Sequence, residues 1–205
     1  FSVSFATSSD VHDIIDFMLS DFLFSRSMNA AIGMTRDDVV DRYPVITKAS
    51  VSSGTSVVVR NNGGEVIAVR LSGFQDRDQV AAPVDLSQLS PRVVKIRAIL
   101  SKINEEKWDL IPSDIDRLFE VKLLSVAEKW RGRGIGQILL TFGLNEARER
   151  GAKGAFAEAI ATASQTIFAR SGYSIIREIF YENWLGDDGK PVFVCPDGTQ
   201  SVQLV

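Results

Sequence analysis

A run of glycines and arginines in the second half of the chain constrains the fold more than any other feature. The run is Arg131-Gly132-Arg133-Gly134-Ile135-Gly136; it follows an apolar, strand-like stretch over 118–126 and precedes an amphipathic helical pattern. Glycines let backbone N–H groups approach an anion closely, and a helix N-terminus adds unpaired donors and the positive end of a dipole. Arginines add charge and forked donors. The run therefore predicts a strand-to-helix junction that binds a pyrophosphate group.

The spacing of the glycines separates this loop from two other phosphate loops. A Walker A loop needs Gly-x-x-x-x-Gly-Lys-Ser/Thr, whereas Gln137 and Ile138 follow Gly136 here. A dinucleotide loop needs Gly-x-Gly-x-x-Gly early in a strand–helix–strand unit, and this run lies deep in the chain. The pattern that fits is Arg/Gln-x-x-Gly-x-Gly/Ala, read from Arg131 through Gly134 to Gly136. The alternative is a tight turn whose glycines serve packing alone; the two arginines, the strand and the helix argue against it.

Composition and charge narrow the class of protein. The 205 residues are 45% hydrophobic and 24% charged, which is typical of a soluble globular chain, and we expect a single domain over 1–205. The net charge of −3 argues against a nucleic-acid partner, and the absence of an apolar run near ~18 residues argues against a membrane span. The single Cys195 excludes an internal disulfide and, with the single His12, argues against a metal cluster. The N-terminal sequence lacks a signal-peptide pattern and an initiator Met, so we expect a trimmed chain in the cytoplasm.

The order of hydrophobic patterns predicts an α/β chain. Strands are expected over 2–6, 56–60, 65–74, 118–126, 155–160, 173–184 and 191–195, and helices over 11–21, 35–50, 93–107, 135–150 and 164–170. The sequence Asn61-Asn62-Gly63-Gly64 indicates a hairpin turn, and 75–91 indicates a long loop. Pro44 is expected to kink or split the second helix.

The loop pattern and the element order together resemble the GNAT superfamily of N-acetyltransferases. Further segments are similar to the arylalkylamine N-acetyltransferase group of insects and nematodes: 29–35, 121–126, Ser164 with 168–173, 181–184 and 188–193. The resemblance covers nearly the whole chain. It implies an α/β (α+β) fold with a central, mixed, mostly antiparallel twisted sheet flanked by helices. It also implies acetyl-CoA as cosubstrate, no metal, and a small primary amine as the acceptor.

The resemblance also implies roles for individual residues. In this superfamily the strand before the loop offers backbone groups to the pantetheine arm, and the loop holds the pyrophosphate. The short helix that follows carries a polar residue near the thioester and an apolar one against the coenzyme. The matching residues here are Leu124, Ser125 and Val126 on the strand, Arg131, Gly132, Arg133, Gly134, Ile135 and Gly136 in the loop, and Ser164 and Phe168 on the helix. For Ser164 a helix cap is the alternative role, and for Phe168 core packing is.

The expected chemistry needs a base, because the amine arrives protonated while the thioester is already activated. The oxyanion that forms requires a backbone N–H from the strand before the loop. Insect arylalkylamine enzymes carry a catalytic glutamate in an Asp-Glu-Pro-Leu-Asn-like segment; aligned on Asn29 and Gly33, this chain has Arg26 in its place. An arginine cannot act as a base at neutral pH. Glu120 and Asp21 are the candidates for the base in its place, and the alternative role of each is that of a solvated acidic residue on the surface. Arg26 itself would suit an anionic group on the substrate.

Three functions remain open at this stage. The first is acetylation of a small amine, with Asp21, Arg26 and Asn29 near the substrate. The second is a catalytically impaired acyl-CoA-binding module, suggested by Arg26. The third is acetylation of a protein or peptide amine, which the acidic balance of the chain would suit. The sequence does not specify the amine or the oligomeric state.

Overall fold

A computed structural model describes residues 1–23, 27–79 and 85–205 of the chain. Within these ranges seven strands form: β1 (Ser2–Phe5), β2 (Val57–Arg60), β3 (Val66–Asp76), β4 (Arg117–Val126), β5 (Gly154–Ala159), β6 (Arg177–Phe180) and β7 (Ser201–Leu204). They make a sheet in the order β1-β2-β3-β4-β5-β7-β6. Only the β4–β5 pair is parallel among the strand pairs of the described residues. The predicted mixed, mostly antiparallel sheet is confirmed.

Helices cover both faces of this sheet. They are α1 (Val11–Phe17), continued by a π-helical turn (Met18–Phe22), α2 (Ser27–Ala31), α3 (Arg42–Ser52), α4 (Pro91–Asn104), α5 (Ile135–Thr141), α6 (Leu144–Glu149) and α7 (Thr162–Arg170). Side chains of α1, α3 and α4 pack in one core with Leu71 and Phe156 of the sheet. Side chains of α5, α6 and α7 pack on the other face. In the part of the chain that the structure describes, no helix is long and apolar enough to cross a membrane.

The parallel strands β4 and β5 separate toward their carboxyl ends. Their register runs from Leu118 opposite Gly154 to Val121 opposite Ala157 and stops there. On the other side of β4, the pairing with β3 shifts between Leu71 and Ser72, so that Lys122 is a bulge residue. A bulge bends the strand that carries it and increases its twist. The last five residues of β4 therefore border a gap on the β5 side.

The predicted helix over 135–150 is divided into two helices, α5 and α6, because Gly143 between them has a left-handed backbone conformation. Its φ is +77°, and a Cβ at this position would lie 2.7 Å from Cε1 of Phe5, so only glycine fits. The buried Arg70 donates from Nη1 to the carbonyl oxygens of Leu139 (2.6 Å) and Phe142 (2.8 Å). These contacts satisfy carbonyls that the helix end leaves without an intrahelical partner. Burial lowers the pKa of Arg70 to about 10, against a smaller opposing effect of Tyr173.

Other sequence predictions about elements were also wrong, among them the strand over 173–184, of which only β6 (Arg177–Phe180) forms. The second helix begins at Arg42 rather than near residue 35, because Asp38 caps a turn by accepting from the N–H (2.8 Å) and Oγ1 (2.7 Å) of Thr35. Pro44 then lies in the first turn of α3, where no N–H partner is needed, and causes no break. The segment 191–195 is not a strand, and the last strand is β7. Pro191 forms only an isolated antiparallel bridge with Leu185, and it has no N–H with which to extend that bridge into a ladder. The side chain of Phe193 is buried.

Candidate active site

The loop between β4 and α5 has the geometry of an anion cradle. Gly132 and Gly134 have φ values of +73° and +77°, and nothing lies within 4 Å of where a Cβ would stand on either. Arg131 between β4 and these glycines is extended, and α5 begins at Ile135. A turn that contains left-handed glycines can direct successive N–H groups toward one side, and such a concavity binds anions. The loop therefore presents open backbone donors at the carboxyl end of β4.

Two arginines stand beside this cradle, each held by a contact of its own. Nε of Arg131 donates to the carbonyl of Val126 at 3.0 Å, and its Nη2 lies 3.8 Å from Oδ1 of Asp21. The guanidinium of Arg133 stacks 4.9 Å from the ring centre of Trp130. Both positive charges are thus available to an anion in the loop.

The last two residues of the loop, Ile135 and Gly136, serve the packing of α5. A Cβ on Gly136 would lie 2.6 Å from Cδ1 of Ile167, so glycine allows α5 to approach α7 closely. Ile135 is buried with Leu139 against the sheet. Only the backbone N–H groups of these two residues, in the first turn of α5, point toward the loop.

The strand residues expected to meet the pantetheine arm lie along the gap between β4 and β5. Leu124, Ser125 and Val126 pair with β3 on one side, opposite Arg70, Val69 and Ala68. The parallel pairing with β5 has already ended at Val121. Because alternate residues of a strand direct their backbone groups to opposite sides, part of this stretch directs N–H and C=O groups into the gap.

Ser164 and Phe168 make the contacts of a helix cap and of a core residue. The N–H of Ala161 donates to Oγ of Ser164 (3.2 Å), and that hydroxyl donates back to the carbonyl of Ala161 (2.7 Å). Phe168 is buried and packs edge-to-face on Tyr173, with ring centres 4.9 Å apart. Contact of either residue with a coenzyme stays a prediction.

The two candidate bases occupy different places. Glu120 lies on β4 just before the bulge, with its side chain 16% exposed and Oε2 3.5 Å from Nζ of Lys122. Asp21 lies beside the loop arginine instead, at the end of the π-helical turn. Asn29 is buried and donates from Nδ2 to the carbonyl of Leu23 at 3.1 Å. Arg26 lies outside the described residues.

The sequence analysis missed a buried lysine on the same face as Glu120. Nζ of Lys107 donates to Oε1 of Gln75 at 2.5 Å and lies 3.8 Å from the ring centre of Phe156. Burial lowers the pKa of Lys107, while the charges of Glu120 and Glu158 act in the opposite direction. No local pattern could have identified this residue, because its partners come from three separate strands.

A second network that the sequence did not indicate ties the start of α7 to the last loop. Oγ1 of Thr199 accepts from the N–H of Thr162 at 3.0 Å, and Thr199 donates its own N–H to Asp197 at 3.1 Å. Ser27, the first residue of α2, donates to the same carboxylate. Burial raises the pKa of Asp197, but the hydrogen bonds from Ser27 and Thr199 outweigh it, so the net shift is downward. As for metals, the described residues contain no group of three or more acidic, His or Cys side chains placed to bind one.

Comparison with known proteins agrees with this geometry. The profile described as Acetyltransferase (GNAT) family matches residues 105–173, the stretch from the end of α4 to the end of α7. Arylalkylamine N-acetyltransferase 2 from Aedes aegypti is similar in structure, with a TM-score of 0.83 at 21% identity over 99% of this chain and 96% of that chain. The Drosophila melanogaster polyamine N-acetyltransferase that forms N-acetylagmatine has a TM-score of 0.79 at 18% identity, over 99% and 97% of the two chains.

The fold is also similar to that of a condensation domain. The C-terminal condensation domain of Ebony, solved with β-alanyl-dopamine, has a TM-score of 0.79 at 18% identity, over 100% of this chain and 97% of that chain. No curated protein sequence matches the chain. At these identities the solved structures establish the fold, and the resemblance to the GNAT superfamily and its arylalkylamine group is confirmed.

Proposed function

We propose that this chain, which has the fold of the GNAT acetyltransferases, transfers an acetyl group from acetyl-CoA to a small, arylalkylamine-like primary amine. One observation carries the proposal: the anion cradle at Gly132–Gly134 lies at the carboxyl end of β4, where β4 and β5 have separated. The loop that would bind the pyrophosphate is thus directly continuous with the gap between β4 and β5 that would bind the extended pantetheine arm. The proposal treats residues 1–205 as one catalytic domain in the cytoplasm, with no nucleic-acid or membrane partner.

The residues present fit the coenzyme. The open N–H groups of the loop and the charges of Arg131 and Arg133 suit a pyrophosphate. The stretch from Lys122 to Val126 spans about 16 Å at the rise of a strand, which gives an extended arm backbone partners along its length. The coenzyme supplies an activated thioester when bound. The reacting carbonyl would then lie near the bulge at Lys122, next to Glu120.

The proposed chemistry is direct attack by the amine. The carboxylate of Glu120 accepts a proton from the substrate ammonium, which frees the nitrogen lone pair. The nitrogen forms a bond to the thioester carbon, the C–S bond breaks, and the second proton that the nitrogen gives up goes to the departing thiolate, which leaves as the free thiol. A backbone N–H on the gap side of β4 stabilises the oxyanion that forms between these steps.

Support for an amine acceptor comes from the relatives as well as from the site. The Aedes protein is named for arylalkylamines and the Drosophila protein for polyamines, and the shared element is a primary amine. The acceptor would lie on the face of the sheet that carries Glu120, while Asn29 and Arg26 stay candidate substrate residues on the sequence alone. Asp21 belongs to the coenzyme side of the site.

A thiol-release assay tests the proposal with wild type, Glu120→Gln and, as a matched control, Glu65→Gln on the distant β2–β3 hairpin. The panel holds arylalkylamines, polyamines, amino acids and peptides. We expect Glu120→Gln to lower kcat about 10²- to 10⁴-fold with unchanged coenzyme affinity, and the control to match wild type.

The other two functions give different results in the same assay. Wild type that binds acetyl-CoA in calorimetry but releases no thiol with any amine would be an acyl-CoA-binding module. The ion pair between Glu120 and Lys122 is the observation that favours that outcome. Thiol release with peptides alone would identify a peptide acetyltransferase.

A further inference from the structure

Lys107 is a buried, positively charged residue that lies against the face of the sheet that carries Glu120. The residue is 5% exposed, and its ammonium lies over the Phe156 ring at 3.8 Å while it donates to Gln75. An aromatic face, an amide oxygen and nearby carboxylates are the groups that proteins use to bind an alkylammonium ion. Here the chain's own lysine fills that position.

The backbone around Lys107 is held so that the side chain must point inward. Glu106, which precedes it, has a φ of +56°, and it is the one non-glycine residue with positive φ in the described ranges. Such a conformation is unfavourable for a residue with a Cβ and persists only when its surroundings impose it. Arg77 supplies part of this constraint, because it donates to the carbonyls of Trp108 (2.6 Å) and Ile115 (3.0 Å) and stacks on the Trp108 ring.

Four charges meet around this position. The carboxylates of Glu120 and Glu158 both act on Lys107, and Lys122 lies 3.5 Å from Glu120. Glu158 also accepts a hydrogen bond from Asn104 at the end of α4. The ammonium groups of Lys107 and Lys122 offset these two carboxylates, and the guanidinium of Arg77 stacks on the Trp108 ring that Lys107 also approaches, so the surroundings of Lys107 have no excess of negative charge before a substrate binds.

We propose that Lys107 determines specificity by occupying the cation subsite of the acceptor site, so that the site takes amines with a single positive charge and rejects diamines. This inference rests on the proposed function, whose base is Glu120. A monoamine gives up its proton to Glu120 and becomes neutral. A diamine would keep a second ammonium close to Lys107, where both carboxylates are already balanced, and like charges in a partly buried site repel strongly.

The test compares butylamine with putrescine, which differ only by a second terminal amine. Lys107→Met keeps most of the length of the side chain and removes its charge. Lys102→Met is the matched control, since Lys102 lies five residues earlier, is 57% exposed and pairs with Glu105. We expect the kcat/KM preference for butylamine over putrescine to fall by at least about tenfold in Lys107→Met and to stay unchanged in the control.

Calorimetric binding of the two amines, with coenzyme A present, gives a readout that does not need turnover. The expected result is at least about tenfold tighter putrescine binding in Lys107→Met relative to butylamine. Lys107→Gln, which keeps a polar head, replaces the Met variant if thermal unfolding shows that the latter is not folded. An unchanged preference in a folded variant overturns the inference. Wild type without turnover on any amine contradicts the proposed function instead, while the binding comparison still decides on Lys107.

Discussion

The carboxylate of Asp21 faces the guanidinium of Arg131, with Oδ1 and Nη2 3.8 Å apart. The other oxygen of Asp21 accepts from the N–H of Glu128, in the turn that leads into the coenzyme loop, at 3.3 Å. The end of the first helix is thereby tied to the loop proposed to bind pyrophosphate. We therefore propose that Asp21 acts on the coenzyme side of the site.

Replacing this carboxylate should strengthen coenzyme binding. In Asp21→Asn the negative charge that competes with pyrophosphate for Arg131 is gone, and an acceptor oxygen for the Glu128 N–H remains. A partly exposed ion pair contributes little, so we expect acetyl-CoA affinity to rise only about two- to fivefold. Calorimetry checks this, and weaker binding would show that Asp21 orients Arg131 for the coenzyme.

Changes within the loop should weaken coenzyme binding. Acetyl-CoA that binds only the folded state raises the midpoint of thermal unfolding. We expect Arg131→Ala to reduce this rise by removing a charge, and Gly134→Val to reduce it by straining a residue with φ of +77°. Gly64→Val is the control, because Gly64 has a φ of +85° in a distant hairpin. Full stabilisation by acetyl-CoA in both loop variants would show that the cradle does not bind it.

Ser164→Ala distinguishes a helix cap from a group at the thioester. Since the hydroxyl exchanges two hydrogen bonds with Ala161, we expect its loss to lower the free energy of unfolding by about 1 kcal/mol while turnover stays near that of wild type. Thermal unfolding and initial rates measure the two effects. A large fall in kcat with unchanged stability would place Ser164 at the thioester.

Asp38 should make the fold sensitive to acid. Burial raises its pKa, but hydrogen bonds from the side chain and backbone of Thr35 and from Ser90, with the charge of Arg92, outweigh burial and lower the pKa from 3.8 to about 2. A carboxylate with a lowered pKa in the folded state stabilises the fold above its ordinary pKa, and this stabilisation is lost as pH falls through about 2.

We therefore expect the free energy of unfolding to fall less steeply between pH 4 and pH 2 in Asp38→Asn than in wild type. Denaturant unfolding at several pH values measures the slope. Asp37→Asn, at the exposed neighbouring position, serves as the control. Equal slopes in wild type and Asp38→Asn would mean that Asp38 is not the group responsible.

Arg26 leads to a prediction that depends on the sequence alignment alone. A guanidinium where the arylalkylamine group carries a carboxylate repels the cationic form of an amine before Glu120 can take its proton, so we expect weak activity on dopamine or tryptamine. Arg26→Glu should raise turnover on these amines and shift its pH dependence. Initial rates against pH for both proteins provide the measurement. High wild-type activity, or no gain in the variant, would show that Arg26 points away from the site.

The sequence alone predicted those features that depend on residues close to one another along the chain. The hairpin at Asn61–Gly64 formed as predicted, with Oδ1 of Asn61 accepting from the N–H of Gly63 at 2.9 Å and of Glu65 at 3.0 Å. The cradle at Gly132 and Gly134 also formed between the expected strand and helix. Both depend on the φ preference of glycine and on hydrogen bonds within a few residues, which are properties of the local sequence.

Features that depend on distant partners were decided by the tertiary structure. The end of α5 at Gly143 needs the ring of Phe5 and the guanidinium of Arg70, and β7 forms because it can pair on both edges, with β5 and β6. Lys107 is held in its buried position by contacts with Gln75 and Phe156, which lie on β3 and β5. In the sequence alone it is one charged residue among many, since the partners that bury it and balance its charge come together only when the sheet is assembled.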